Sequence, residues 1–133
     1  MIVFDNFIKQ NKVLKRDKDI ALRNSLLKDA EERIKILLVV GLNPRFKFEQ
    51  AYDAVRELAD SFLARDGFKT YSHEAALSYI HKLGLVDDVE LERLDTCRKK
   101  RNDSKYYGKE IDNEEAVYLY GFLEKIFIRL KNK

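Results

Sequence analysis

At 133 residues the chain fits a single domain. A chain of this size buries roughly two-thirds of its unfolded surface, so its core needs no disulfide or metal staple. Hydrophobic residues at 45% beside charged residues at 37% describe a folded protein with a salt-rich surface, and one proline with five glycines argue against a turn-rich β sandwich. A formal charge of +3 excludes attraction to nucleic acid by overall charge, so any such attraction has to come from local clustering.

The opening residues, Met1-Ile-Val-Phe-Asp-Asn, have no basic start followed by an apolar run, which predicts no secretion signal. Residues 1–18 read as a peripheral, weakly amphipathic segment, and residues 19–131 as the bundle proper. Asp19 is the expected cap of the first long helix. There Leu26, Leu27, Ala30, Ile34, Leu37 and Leu38 recur at three and four residues, a stripe that faces a core. Gly41 and Asn43-Pro44 end it. The longest apolar run, Ile36 to Val40, is far short of the roughly 20 residues that span a bilayer.

The next helix has the clearest period, with Phe48, Ala51, Tyr52, Val55, Leu58, Ala59, Phe62 and Leu63 on one face and Gly67 at its end. Ser72 predicts the N-cap of a shorter helix carrying Ala76, Leu77, Ile80 and Leu83, closed by Gly84. Asp87 or Asp88 opens a further long helix whose inward residues are Leu91, Leu94 and Cys97. Asp112 with Glu115 forms a capping-box pattern for the last helix, which carries Ala116, Leu119, Leu123, Ile126, Phe127 and Leu130. No strand-like alternation survives beyond a few residues. Short connections predict an all-α, up-and-down bundle of four to five main helices. Val117, Tyr118, Phe122 and Ile128 lie off the main stripe of the last helix. They predict a homodimer, with cover by the N-terminal segment as the alternative.

The unusual piece is Arg98-Lys-Lys-Arg-Asn-Asp-Ser-Lys-Tyr-Tyr-Gly-Lys109, in which six of twelve residues are cationic and one is acidic. At 3.6 residues per turn Arg98, Arg101, Asn102 and Lys105 share one face with Leu91 and Leu94. Polar groups there continue a buried stripe, which costs free energy unless they line a cleft or are hydrogen-bonded. A guanidinium fork matches a phosphate, an amide both donates and accepts, and Tyr106 and Tyr107 offer faces on which bases stack. With Asp103 these residues form the candidate binding set. The competing interpretation is a solvated basic helix end that complements the helix dipole.

Two stretches, Phe48-Glu-Gln-Ala-Tyr-Asp-Ala-Val-Arg-Glu-Leu-Ala-Asp60 running on to Ser72-His-Glu-Ala-Ala76, and Arg98 to Gly108, resemble the HEPN superfamily of small helical nucleotide-binding and RNA-cleaving domains over roughly residues 20 to 130. The resemblance implies RNA or a nucleotide as ligand. It also implies a dimer and metal-independent chemistry without a cofactor. A nucleotidyltransferase-type protein partner, as in a toxin–antitoxin pair, is the alternative it offers. Active members carry an Arg, usually followed by a polar residue, with a His four to six residues beyond. Arg101 and Asn102 match that start, whereas the His positions hold Tyr106, Tyr107 and Gly108. If the chain cleaves RNA, the resemblance assigns the chemistry to Arg101, Asn102 and Tyr106. Histidine near pKa 6.5 exchanges protons at neutral pH and tyrosine near 10 is a poor base, so the pattern favours binding over turnover.

The remaining candidates carry less. His73 and His81 stand two turns apart, too far for an adjacent-turn metal pair, so no metal site is expected. His73 is expected to make a local polar contact near its cap, and His81 to lie on the surface. Cys97 reads as core, and a lone cysteine fits a cytoplasmic protein.

Overall fold

The computed structural model describes residues 3–133; the first two residues of the expected N-terminal segment lie outside it. Among the described residues the chain forms α1 (Phe4–Lys9), β1 (Val13–Lys15), α2 (Ile20–Ile34), α3 (Pro44–Asp66), β2 (Phe68–Thr70), α4 (His73–Lys82), α5 (Asp88–Tyr107) and α6 (Asn113–Lys131). A 3-10 turn, Lys35–Leu38, follows α2. The described residues are mostly helical, with six helices and a minor two-stranded ribbon in place of the all-α expectation.

The helix boundaries follow local chemistry. Asp19 accepts from the Leu22 N–H, Asn43 from Arg45 with Pro44 in the first turn, and Ser72 from Ala75, each filling a donor the helix leaves open. Asp87 and Glu90 form a reciprocal capping box. Asp112 also caps its helix, but through Glu114; Glu115 turns away to pair with Lys100, so the box expected there does not form. Gly67 ends α3 in the left-handed conformation at φ +87°.

α3 is the hub. Its buried face, Phe48 through Leu63, packs against α2, α4, α5 and α6. Side-chain pairs give the sense of each helix. Arg33 with Glu57 and Lys47 with the Leu37 carbonyl set α2 antiparallel to α3. Glu74 with Arg98 and His81 with Asp88 do the same for α4 and α5, as Lys100–Glu115 and Glu90–Arg129 do for α5 and α6. The up-and-down pattern breaks between α3 and α4. His73, at the start of α4, meets Tyr52 in the middle of α3, while Tyr79, further along α4, donates to Asp66 at the end of α3. The two helices therefore run in the same sense, because β2 first carries the chain back along the bundle.

β2 pairs antiparallel with β1, Leu14 opposite Lys69, and this ribbon ties down the N-terminal segment. That segment is not peripheral: Phe4, Phe7 and Val13 are buried in the main core, with the Phe4 ring 4.6 Å from Tyr79 and 5.4 Å from Phe68. Burying one such ring contributes about 2 kcal/mol, enough to keep a six-residue helix in place. α1 packs on α4 and leaves α6 uncovered, so Val117, Tyr118 and Ile128 stay exposed, whereas Phe122, the fourth residue off the stripe, is half-buried against the core. In α2 only Ala30 of the expected stripe is fully buried, and Leu38 is 78% exposed beyond the helix end. No helix among the described residues is long and apolar enough to cross a membrane.

Candidate functional site

α5 begins as an ordinary core helix and changes character midway. Its buried stripe runs Leu91, Leu94, Cys97, then Arg101 and Ser104. Arg101 is only 4% exposed, a position where a charge is tolerated only if other charges and dipoles replace water. α3 supplies them. Arg101 Nη2 lies 2.9 Å from Asp53 Oδ1, and the guanidinium carbon is 5.8 Å from the Tyr52 ring and 5.5 Å from the Tyr106 ring. Nη1 donates to the Asn102 amide oxygen and to the Tyr106 hydroxyl, both at 3.3 Å.

These contacts leave Arg101 only partly satisfied. The pair with Asp53 is close but not aligned as a hydrogen bond, so Asp53 Oδ1 lacks a donor and Arg101 Nε lacks an acceptor; the buried Ser104 hydroxyl is also unpartnered. Burial opposes the Arg101 charge, but the Tyr106 hydrogen bond and the Asp53 carboxylate raise its pKa overall. In return, the hydrogen bond from Arg101 lowers the Tyr106 phenol below its ordinary value.

Beside Arg101 a concavity of about 270 Å³ opens between the first turn of α4 and the second half of α5. Its walls are Ser72, His73, Glu74, Arg98, Asn102 and Tyr106. Of the residues singled out in the sequence, Arg98, Asn102 and Tyr106 thus meet at one hollow with Arg101 next to them. Lys105 and Tyr107 do not join it. Both are exposed, Tyr107 by 74%, because the helical rotation that brings Asn102 and Tyr106 to α4 turns them to solvent. Asp103 is half-buried and also outside the lining.

His73 is the residue the sequence reading undervalued. Its contacts are not local: Arg56 Nη1 lies 2.8 Å from Nε2 and the Tyr52 hydroxyl 3.3 Å from Nδ1. A guanidinium only donates, so Nε2 must accept, and the neutral ring carries its proton on Nδ1. Burial, with help from Arg56 and Arg101, pushes its pKa down to about 4. Arg56 is held in turn by two bonds of 3.3 Å to Asp60, whose carboxyl burial pushes up to about 6 despite the guanidinium. Asp53 and Arg56 were also missed. Their signal was there, as charged residues flanking Tyr52 on the most regular apolar helix of the chain. His81 is half-buried rather than free on the surface, with Nε2 2.7 Å from Asp88.

Four of the six cations in the basic run, Arg98, Lys99, Lys100 and Arg101, stand against a carboxylate, and Lys105 and Lys109 do not. Arg98 bonds Asp95 at 2.8 Å and lies 3.4 Å from Glu74, Lys99 pairs with Asp95, and Lys100 with Glu115. The basic run is therefore largely neutralised where it folds. Cys97, fully buried with its thiol pushed up to about 12 by burial, is core and not a nucleophile. No group of three or more His, Cys, Asp or Glu among the described residues is arranged to hold a metal ion. No protein-family model matches the chain, and no curated protein does.

Proposed function

We propose that the chain is a HEPN-like cytoplasmic domain that binds a nucleotide or a segment of single-stranded RNA in the hollow between α4 and α5. One observation carries this reading: the buried Arg101 has an unused donor and stands beside a concavity walled by an amide, a second arginine, an imidazole and an exposed phenol. A buried ion pair is often replaced as a whole by apolar residues at little cost, so a partly satisfied pair kept next to an open hollow points to a polar ligand. Arg98 and Asn102 offer donors to a phosphate, and the Tyr106 ring, 63% exposed, gives a base a face to stack on.

Binding is favoured over cleavage. Opening RNA through its 2′-hydroxyl needs a base, and the nearest imidazole, His73, has its accepting nitrogen occupied by Arg56 and a pKa near 4. Tyr106, though lowered by Arg101, remains a weak acid suited to donating a hydrogen bond. Where cleavage occurs at all, Arg101, Asn102 and Tyr106 carry it, Arg101 by stabilising developing phosphate charge.

The test uses a labelled single-stranded oligonucleotide in EDTA. Binding should weaken as salt rises, since phosphate contacts release counterions, and should fall at least severalfold in Asn102→Ala and Tyr106→Ala. Both residues are outside the core, so these variants keep the fold that Arg101→Ala endangers. Binding that ignores salt and survives both substitutions contradicts the proposal. A second reading, a non-catalytic module that docks on a nucleotidyltransferase-type partner, is supported by the internal neutralisation of Arg98, Arg101, Lys99 and Lys100, and a complete absence of RNA binding would favour it. In either case we propose a homodimer through the uncovered face of α6.

A further inference from the structure

We infer that Glu74 limits the charge of the ligand this hollow accepts, so that a single phosphate group is admitted and a polyphosphate is not. The inference rests on the nucleotide-binding reading above and goes beyond it by naming the residue that selects among anions. Of the six residues lining the hollow, Arg98 is the one cation and Glu74 the one anion, and His73 is neutral above about pH 4. The lining therefore has no net charge at neutral pH. Arg101, beside it, is matched by Asp53.

The geometry of Arg98 shows how the limit works. Asp95 holds its Nε at 2.8 Å from within the same helix, while Nη2 meets Glu74 Oε1, on the α4 wall, at a looser 3.4 Å. The Asp95 bond orients the side chain, which is only 16% exposed, and Glu74 occupies the edge that a phosphate would use. The Glu74 side chain is 45% exposed and sits in the first turn of α4, where the helix dipole supports a carboxylate without fixing its rotamer. An incoming anion can thus displace Glu74 by a side-chain rotation. The displaced carboxylate stays in the wall, within a few ångströms of the ligand and far inside a Debye length, so each further charge on the ligand is repelled. A monophosphate trades one carboxylate contact for one phosphate contact. A triphosphate brings charges for which the wall has no cation left.

The experiment titrates AMP, ADP and ATP, in EDTA, into the wild type and Glu74→Gln, reading Kd by calorimetry and the His73 ring resonances by NMR. Glutamine keeps the size and hydrogen-bonding reach of the side chain. Glu92→Gln, an exposed position on a neighbouring cavity of about 400 Å³, serves as the charge-matched control. The wild type and Glu92→Gln should bind AMP at least as tightly as ATP. In Glu74→Gln ATP should tighten relative to AMP by roughly tenfold, the scale of one unfavourable charge contact near a surface. An unchanged ratio of the ATP and AMP dissociation constants in Glu74→Gln, with binding to both proteins intact, overturns the charge limit and leaves the site standing. Absence of any shift at His73 with all three nucleotides overturns the site and the limit together.

Discussion

Arg101 stands where the spacing of α5 calls for a leucine, one turn beyond Cys97 on the buried stripe. Replacing it by alanine leaves the Asp53 carboxylate, 13% exposed, without its cation, and breaking a buried pair of this kind costs about 3 kcal/mol. Urea denaturation should therefore show Arg101→Ala strongly destabilised and Arg101→Ala with Asp53→Ala partly recovered; a single variant as stable as the wild type would contradict the burial. The two histidine-linked charges give opposite pH trends. His73 has a folded pKa below its ordinary 6.5, so the stability it contributes is present above that value and is lost as pH falls through about 4. Asp60 has a folded pKa raised from 3.8 to about 6, so its contribution is present below 3.8 and is lost as pH rises through 6. Asp60→Asn should consequently be more stable than the wild type at pH 8, by about 2 kcal/mol, with the gain fading toward pH 4. Chemical denaturation across that range checks it, and a pH-independent difference would contradict the assignment. At this scale the sequence showed the basic run and its helical face but not its neutralisation. Asp53 lies 48 residues before Arg101, and no helical spacing links that pair, the Lys100–Glu115 pair or Arg56 to His73, 17 residues on.

Caps and glycines made the helices legible. Asp19, Ser72, Asp87 and Asp112 cap where their side-chain chemistry indicates, Asn43 caps α3 where it was read as a stop for the preceding helix, and the stripes of α3, α5 and α6 are buried as their periods require. The failures were in short elements. β1 and β2 have three residues each, too few to show alternation, and their pairing joins segments that lie on either side of α2 and α3. Gly67 marks the cost of that closure. A Cβ there would sit 2.7 Å from the Arg16 carbonyl oxygen, at a φ of +87°, and the Arg16 N–H also donates to the Gly67 carbonyl at 2.9 Å. Gly67→Ala should destabilise the fold by about 2 kcal/mol or more, combining a left-handed backbone with a backbone clash. Gly121→Ala, in the middle of α6 with open space around it, should instead gain up to about 1 kcal/mol in the monomer. Thermal unfolding of the two variants separates these outcomes.

The whole molecule is organised by α3, and its course set the main surprise. An extended return between α3 and α4 places the start of α4, with Ser72, His73 and Glu74, beside the polar half of α5. A simple up-and-down connection would have sent it to the other end of the bundle. The candidate hollow exists because of that return, which is why its α4 wall was not legible from helix periods alone. α6 closes the opposite side and keeps Val117, Tyr118 and Ile128 in water. If these residues form the proposed dimer contact, sedimentation should show an average mass that rises with concentration and returns to that of the monomer in Ile128→Glu. A monomer at all concentrations would contradict the dimer without touching the site.

The central claim is that the hollow between α4 and α5 receives a phosphate-bearing ligand, and chemical-shift mapping with a short single-stranded RNA tests it most directly. The largest changes should fall on the Asn102 side-chain amide, the Tyr106 ring and the His73 imidazole, and all of them should shrink as salt is raised. Changes spread over the exposed lysines, with those three residues unmoved, would contradict it.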